Sequence, residues 1–502
     1  MRYILTIDQS TQSTRASIYA EDLAPRFSSC KTHTQIYPRE GWVEHDAQEI
    51  YECMKEVCRD VVQQAHSAGI APDDIVSIGI ANQGETVVAW DSRTGQPLHN
   101  AIVWQCKRTD PMVRELKSIP GLEERIHKKT GLYPDSYFSA LKIKWLIENV
   151  AEVKQALDNG TLMAGTLDSF LIYKITNGKT FATDVSTASR TMLFNINTLK
   201  WDEDILSELN IPKHILPEVR PTCADFGIAD ASFCGVEAPI GASAADQQAA
   251  MFGHRCFEKG DIKCTYGTGC FILMNAGDKP VLSKNRLLTT IAWQIDGKTT
   301  YALDGGVFAA GSAFRWLKEK AALIQDYADI DTMAGSLPDN GGVYFVTAFS
   351  GLGAPYWESG AKGMITGLNL SCGAAHIVRA VCEGIVFRVN EVLSCMADDT
   401  GEDIARLKAD GGVTRSTYTM QFQADISGVT VSVPGDCEIT SKGIAMIAGL
   451  SAGIWDSIGA IPENKDEVLS YIPLKGTQET QALRREWNDA VSAILKIQKK
   501  AF

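Results

Sequence analysis

A strand–turn–strand pattern occurs at the start of the chain and again near its middle, and this repeat restricts the possible folds. Residues 3–7 alternate in hydrophobicity, a polar turn follows at 9–14, and residues 15–19 alternate again. Residues 262–266 form a similar apolar run that enters a glycine-rich turn and returns at 271–274. We therefore predict two similar halves, with a ligand-binding cleft between them.

Strand and helix patterns alternate between the two hairpins, which indicates an α/β fold. A helix with one apolar stripe begins at Asp46, and a strand-like run follows at 75–81. With 502 residues, the chain is too long for a single ordinary core. We predict two domains, residues 1–253 and residues 254–502.

Charge and cysteine usage exclude several classes of partner. The net charge of −13 repels nucleic acids and anionic lipid surfaces. No apolar run approaches the roughly 20 residues that a membrane helix requires. The 13 cysteines do not form a CxxC pair and many lie in apolar runs, as is typical of free thiols in a reducing compartment. We expect a cytoplasmic protein with neither nucleic-acid nor membrane partners.

The first turn carries groups that can bind phosphate. The chain has no GxxxxGK[ST] loop and no GxGxxG fingerprint after a strand, which excludes a P-loop and disfavours a dinucleotide enzyme. Backbone donors, hydroxyls and a cation at Thr11, Gln12, Ser13 and Arg15 can wrap a polyphosphate. Asp8, at the strand end, is suited to holding Mg²⁺. A solvated polar hairpin explains the same residues equally well.

Later segments contain weaker candidates. Glycines in the loop 265–269 allow the backbone to approach a ligand closely. Residues 410–412 follow a strand and precede a helix from about Ser416, so either a nucleotide site or a plain strand-to-helix turn fits. Asp246 and Gln247 open an Ala-rich helical run, where a lone aspartate is commonly an N-cap. The residues alone leave the reaction open.

Longer segments carry a family resemblance. Residues 137–149 and 363–383 match two signatures of the FGGY family of carbohydrate kinases, which the chain resembles along nearly its whole length. NQGET (82–86), ASRTMLFNI (188–196) and TYGTGCF (265–271) are similar to the branch that acts on glycerol, rather than to the xylulose or gluconate branches. The resemblance implies two ribonuclease H-like domains, as in actin, hexokinase and the Hsp70 ATPase. It assigns polyol and phosphate binding to residues 1–253 and nucleotide binding to residues 254–502.

The resemblance also implies an activity and its residues. It implies an ATP- and Mg²⁺-dependent kinase that phosphorylates a terminal hydroxyl of a small polyol, glycerol first, and forms a homodimer or homotetramer. Asp246 matches the catalytic base and, with Asp8, the metal-linked carboxylates. The implied polyol positions are Gly84, Glu85, Trp104, Tyr137, Asp246, Gln247 and Phe271. The implied nucleotide positions are Thr11, Gln12, Ser13, Arg15, Thr268, Gly311, Arg315, Gly412 and Ser416.

Four positions depart from the family pattern. Gly84 stands where an arginine usually grips the polyol, and losing such a charged hydrogen bond costs about 1.5–3 kcal/mol. Erythritol, threitol and dihydroxyacetone are therefore alternative substrates. Arg315 and Ser416 replace the usual glutamine and asparagine near the adenosine, and Glu237 replaces an arginine that binds fructose bisphosphate, so that feedback is not expected. An actin- or chaperone-like ATPase is the alternative from another class.

Overall fold

Each half of the molecule is built on one sheet, and the computed structural model describes residues 1–358, 360–435, 438–463 and 468–500. Within these ranges the N-terminal sheet has the spatial order β3-β2-β1-β4-β5. Its strands are β1 (Tyr3–Gln9), β2 (Ser13–Ala20), β3 (Pro25–Thr32), β4 (Ile75–Asn82) and β5 (Ile240–Ala245). β1, β2 and β3 pair antiparallel, whereas β4 is parallel to β1 and β5 is parallel to β4.

The C-terminal sheet repeats this arrangement. Its strands are β6 (Ile262–Tyr266), β7 (Cys270–Gly277), β8 (Leu288–Ile295), β9 (Lys298–Val307), β10 (Arg406–Asp410), β11 (Thr430–Pro434) and β12 (Val468–Tyr471). The order β9-β7-β6-β10-β11 has the same pairing directions as the first sheet, and β8 and β12 extend its two edges. The prediction of two α/β halves with a shared topology is confirmed.

Helices cover the sheets and connect their strands. Those that position the site are α1 (Ala47–Ser67), α2 (Ser139–Asn149), α3 (Asp246–Gly253), α4 (Gly311–Glu319), α5 (Ala374–Thr400), α6 (Thr417–Ser427), α7 (Ile439–Ser451) and α8 (Thr477–Lys500). Further helices span Asp110–Ser118, Leu122–Thr130, Ala151–Asp158, Leu167–Ile175, Val185–Ala188, Glu203–Leu209, Ala231–Cys234 and Asp329–Gly335. Short strands outside the two main sheets include Glu44–His45, Val87–Asp91, Ala101–Ile102, Leu162–Thr166, Tyr344–Val346 and Met364–Thr366.

α3 and α7 cross in close contact and join the two halves. A Cβ added to Gly443 would lie 1.8 Å from the carbonyl oxygen of Ala249, and one added to Gly253 would lie 2.2 Å from that of Ile439. Only glycine allows the two helix backbones to approach so closely. α7 also packs against β1, β4 and β5, although it belongs to the C-terminal half. A single apolar core therefore includes residues of both halves.

Two further features of the described residues concern membrane-spanning helices and cysteines. Among them, no helix is both long and apolar enough to cross a membrane. Their cysteines are free, and most are buried. Burial of small free thiols in the core agrees with the sequence-based interpretation of the cysteines as packing residues.

Candidate active site

Adjoining cavities lie along the cleft and on the C-terminal half beside it. A large cavity of about 580 Å³ on the C-terminal half and an aromatic cavity of about 410 Å³ share Thr268 in their walls. The aromatic cavity shares Tyr137 and Phe271 with an inner cavity of about 20 Å³. Because both halves line the aromatic and inner cavities, relative movement of the halves would change their shape.

The inner cavity contains most of the residues predicted to bind polyol. They are Gly84, Glu85, Tyr137, Asp246, Gln247 and Phe271. Asp246 is the first residue of α3 and follows directly on β5, but the N-cap position is Ala245 and Asp246 is not used as a helix cap. Burial, and then the negative charge of Glu85, raises the pKa of Asp246 to about 6. Its carboxylate is therefore a stronger proton acceptor than an ordinary aspartate, yet ionised at neutral pH.

Arg190 and Asp304 also line the inner cavity, and sequence reasoning missed both. Arg190 Nε lies 2.7 Å from Glu85 Oε1, and Arg190 Nη1 lies 2.8 Å from Asp304 Oδ2. The guanidinium carbon is 5.5 Å from the centre of the Tyr137 ring. Arg190 follows the short helix Val185–Ala188, inside a segment that carried the family resemblance. The sequence signal that could have found Arg190 was Gly84, because the usual arginine is missing there and another cation must take its place.

Two buried lysines hold the walls of the inner cavity. Lys142, on α2, donates hydrogen bonds to the carbonyl oxygens of Tyr137 and Phe138, the latter at 3.2 Å, and lies 3.5 Å from that of Glu85. Burial lowers the pKa of Lys142 to about 7. This ammonium ties the segment that carries Glu85 to the one that carries Tyr137.

The second lysine orients the residue beside Asp246. Lys263 Nζ donates to Gln247 Oε1 at 2.5 Å and to Thr265 Oγ1 at 3.0 Å. Burial lowers the pKa of Lys263, and its positive charge in turn opposes the rise in the pKa of Asp246. Neither lysine has a sequence signal of its own, because each lies within an apolar strand or helix.

Aromatic rings form the wall of the aromatic cavity. The ring centroid of Trp104 lies 5.6 Å from that of Tyr137 and 5.9 Å from that of Phe271, and both pairs are edge to face. Trp104 Nε1 donates to Thr11 Oγ1 at 2.9 Å. The three predicted aromatic residues therefore lie together, and one of them is hydrogen-bonded to the first hairpin.

The first hairpin turn lies between β1 and β2. Ser10 N donates to Ser13 O at 2.9 Å, which closes the turn. Arg15 Nε lies 2.8 Å from Glu438 Oε2, so a predicted phosphate ligand is held by a carboxylate of the other half. Gln12 is exposed, whereas Thr11, Ser13 and Arg15 are half-buried. None of the four residues Thr11, Gln12, Ser13 and Arg15 lines the large cavity.

Asp8, at the end of β1, has an unusually unfavourable environment for a carboxylate. Burial raises its pKa to about 7, and the charges of Asp246 and Glu438 contribute to the rise. A divalent cation between Asp8 and Asp246 would offset this repulsion, which fits a two-carboxylate Mg²⁺ site completed by phosphate oxygens. Among the described residues, no group of three or more His, Cys, Asp or Glu side chains is arranged to hold a metal.

The large cavity contains the other predicted nucleotide residues. They are Thr268, Gly311, Arg315, Gly412 and Ser416. Gly311 N donates to Gly267 O at 2.9 Å, which fixes the start of α4 on the second hairpin turn. Ser416 caps α6 and its hydroxyl lies 2.5 Å from Asp331 Oδ1, so its side chain is already engaged.

The turn after β10 is formed by three residues with different roles. Asp410 Oδ2 lies 2.7 Å from His254 Nε2. Gly411 has a φ of +94°, and a Cβ there would lie 2.5 Å from the carbonyl oxygen of Tyr266. At Gly412 an added Cβ would meet nothing within 4 Å, so its open side faces the large cavity. The turn therefore packs against the second hairpin at Tyr266 and leads into α6, so that both lie at the wall of the large cavity.

Two sheets of the same topology, with a hydroxyl-rich and a glycine-rich turn at the cleft between them, define a two-domain phosphotransferase, because phosphoryl transfer depends mainly on positioning and charge neutralisation. The sequence model of the FGGY carbohydrate kinase N-terminal domain matches residues 3–253, and that of the C-terminal domain matches residues 262–452. The chain belongs to the FGGY family of carbohydrate kinases. The resemblance stated from the sequence is therefore confirmed, as is the prediction of an ATP-dependent phosphotransferase.

Several relatives and solved structures are similar to the chain over almost its whole length. The chain is 46% identical over 495 residues to a glycerol kinase of Caldanaerobacter subterraneus subsp. tengcongensis, with 99% of each chain covered. It is 45% identical over 500 residues to glycerol kinase 2 of Thermotoga maritima, with 100% of each covered. The structure of Plasmodium falciparum glycerol kinase with ADP superimposes with a TM-score of 0.90 at 39% identity, covering 99% of this chain and 98% of that one. A ligand-bound xylulose kinase of Lactobacillus acidophilus, at 22% identity and a TM-score of 0.86 with 99% of each chain covered, shares the fold.

Proposed function

We propose that the chain transfers the γ-phosphoryl group of ATP to a terminal hydroxyl of glycerol and forms glycerol 3-phosphate. The observation that carries the proposal is the carboxylate of Asp246 in the wall of an inner cavity of about 20 Å³. Such a volume holds about one water-sized group, and hence one hydroxyl. The aromatic cavity next to it suits the carbon chain of a small polyol. The relatives named as glycerol kinases support this substrate.

Asp246 accepts the proton in the proposed reaction. The hydroxyl oxygen bonds to the γ-phosphorus while the bond from that phosphorus to the β–γ bridging oxygen breaks, and ADP leaves with the electron pair. The hydroxyl proton passes to the Asp246 carboxylate as the new bond forms. Because phosphoryl transfer has a loose transition state, orienting the attacking oxygen in line contributes more than early deprotonation.

The proposed nucleotide site follows from the cavities. The large cavity, which contains Arg315 and Ser416, takes the adenosine, and Gly311 and Gly412 approach the phosphates through backbone groups. Thr268 lies in the walls of both the large and the aromatic cavity. The γ-phosphate would lie near Thr268, at the junction of the two cavities. Thr11, Gln12, Ser13 and Arg15 would bind the phosphates from the opposite half, with Arg15 released from Glu438.

Mg²⁺ is proposed as the cofactor, held by Asp8 and Asp246. When bound, it neutralises negative charge on the phosphates during transfer. The mutual repulsion that raises the pKa of Asp8 supports this assignment. We also propose the division into residues 1–253 and 254–502, a cytoplasmic location supported by the free cysteines, and a homodimer or homotetramer, which light scattering would test.

A tetritol or dihydroxyacetone is the second candidate substrate, and Gly84 favours it because the arginine that usually grips the polyol is missing there. The experiment is ADP release by the purified chain with ATP and Mg²⁺ against glycerol, erythritol, threitol and dihydroxyacetone. We expect the highest kcat/KM with glycerol. A higher value with a tetritol would replace glycerol as substrate, and ADP release that ignores every polyol would favour an ATPase instead.

A further inference from the structure

The residues that line the inner cavity carry an excess of negative charge, which one arginine offsets in part. Glu85, Asp246 and Asp304 contribute three carboxylates to its wall, and of the described residues that line it only Arg190 carries a positive charge. The side chains of Arg190, Glu85 and Asp304 are 4%, 7% and 7% exposed. A cation so deeply buried is tolerated because it is paired, and its donors are restricted to the cavity wall.

One nitrogen of Arg190 has hydrogen-bonding capacity to spare. Nε donates to Glu85 Oε1 at 2.7 Å. Nη1 forms an ion pair with Asp304 Oδ2 at 2.8 Å but has no hydrogen-bond partner among the described residues, although the guanidinium also interacts with the Tyr137 hydroxyl. Buried donors are almost always satisfied, and an exception calls for an absent partner. A polyol hydroxyl in the inner cavity is such a partner.

Gly84 provides the space that Arg190 occupies. A Cβ at position 84 would lie 3.1 Å from Ala245 Cβ and 3.3 Å from Arg190 Cγ, and both distances are tighter than ordinary side-chain contacts. Any larger residue at 84 must therefore move the stem of Arg190. The glycine and the buried guanidinium form one structural unit.

We propose that Arg190 is a substrate-binding residue, whose stem packs against Gly84 and whose guanidinium donates to the polyol hydroxyl next to Asp246. This inference rests on the proposed function and names the cation of the same site. Glu85 and Asp304 fix the guanidinium plane from the two halves of the molecule. Arg190 thereby couples occupancy of the inner cavity to the relative position of the halves.

The main test compares Arg190→Lys with wild type in steady-state kinetics. Lysine keeps the positive charge but lacks the planar fork of arginine. Only that fork can pair with two carboxylates and donate to the substrate at the same time. We expect the KM for glycerol to rise about tenfold or more, as for loss of a charged hydrogen bond, and the KM for ATP to stay within about twofold. A KM for glycerol within about twofold of wild type would overturn the proposal.

Two further variants separate binding from folding. Arg190→Met removes the guanidinium, and Arg108→Met is its control. Arg108 is another buried arginine of the same half, and it pairs with Glu44 at 2.5 Å outside the cavities described above. We expect both variants to lose similar stability, but only Arg190→Met to lose affinity for glycerol, as measured by calorimetry. Gly84→Ala keeps the arginine but displaces its stem, and should raise the KM for glycerol about fivefold or more. Equal glycerol affinity in Arg190→Met and Arg108→Met, or an unchanged KM in Gly84→Ala, contradicts the proposal. Wild type without polyol-dependent ADP release would instead contradict the proposed function.

Discussion

The inner cavity and the large cavity adjoin the same cleft, yet they are built from different groups. The wall of the inner cavity consists of buried charged side chains, with Arg190 between Glu85 and Asp304 and with Asp246 beside them. The large cavity is open and relies on backbone at glycines such as Gly311. Fixed buried charges select one small hydroxyl compound, whereas backbone donors bind the phosphates that all nucleoside triphosphates share. Substitutions should therefore change catalysis most at the inner cavity.

The largest effect is expected for Asp246→Asn, which keeps the shape of the inner cavity and removes the proton acceptor. We expect kcat to fall about 10²–10⁴-fold, the usual range for a general base. Rapid-quench measurement of glycerol 3-phosphate formation checks it. Asp168→Asn is the matched control, because burial likewise raises the pKa of Asp168 to about 6, but this fully buried carboxylate accepts from Thr183 at 2.6 Å outside the inner cavity. Similar losses in both variants would remove Asp246 from the chemistry.

Next in size is the contrast between Gly411 and Gly412, two adjacent glycines of the turn after β10, of which only Gly412 lines the large cavity. Gly411→Ala places a Cβ 2.5 Å from Tyr266 O at a φ of +94°, so we expect a Tm lower by about 5 °C and a KM for ATP raised about tenfold. Gly412→Ala meets open space and should change Tm by about 1 °C or less. Differential scanning fluorimetry and ATP titration give both values. Equal Tm shifts would show that backbone strain does not hold this turn.

A smaller, pH-dependent effect is expected at Lys142. Its pKa is about 7 in the fold and 10.5 as the ordinary value, so between these pH values the unfolded chain binds more protons. The Tm of wild type minus that of Lys142→Met should therefore increase from pH 7 to pH 9. Lys144→Met, whose ammonium pairs with Glu148 on the surface of the same helix, is the control. A difference that stays constant or falls with pH would mean that Lys142 is buried in its charged form throughout.

The smallest effect is expected for Arg315→Gln. Arg315 is exposed at the large cavity, where an ion pair or hydrogen bond to a nucleotide is worth about 0–1 kcal/mol. We expect the KM for ATP to change by about threefold or less, with a small shift in the ratio of ATP to GTP use. Lys320→Gln, just beyond α4, serves as the control. A tenfold change would show that side chains, rather than backbone, select the base.

Much of the fold and half of the site follow from local pattern. The hairpin at residues 3–19 and its counterpart at 262–274 predicted the repeated sheet, because alternation and turn composition are properties of neighbouring residues. The signature at 137–149 carried the family. Asp246 was open to interpretation as a helix cap, and the cap is instead Ala245. Its environment depends on Glu85, distant in sequence, so no local pattern distinguishes the two roles.

By itself the sequence determined the two halves, the family and the residue types at the phosphate turns, since each of these depends on short-range order along the chain. Only the tertiary structure decided which charges meet. Arg190 comes between Glu85 and Asp304 because β4, β9 and the segment after Val185–Ala188 converge at the cleft. Lys142 and Lys263 become buried donors for the same reason. Charge balance in a low-dielectric pocket is a property of the whole fold. The glycine at position 84 therefore did not indicate which cation offsets the carboxylates of the inner cavity.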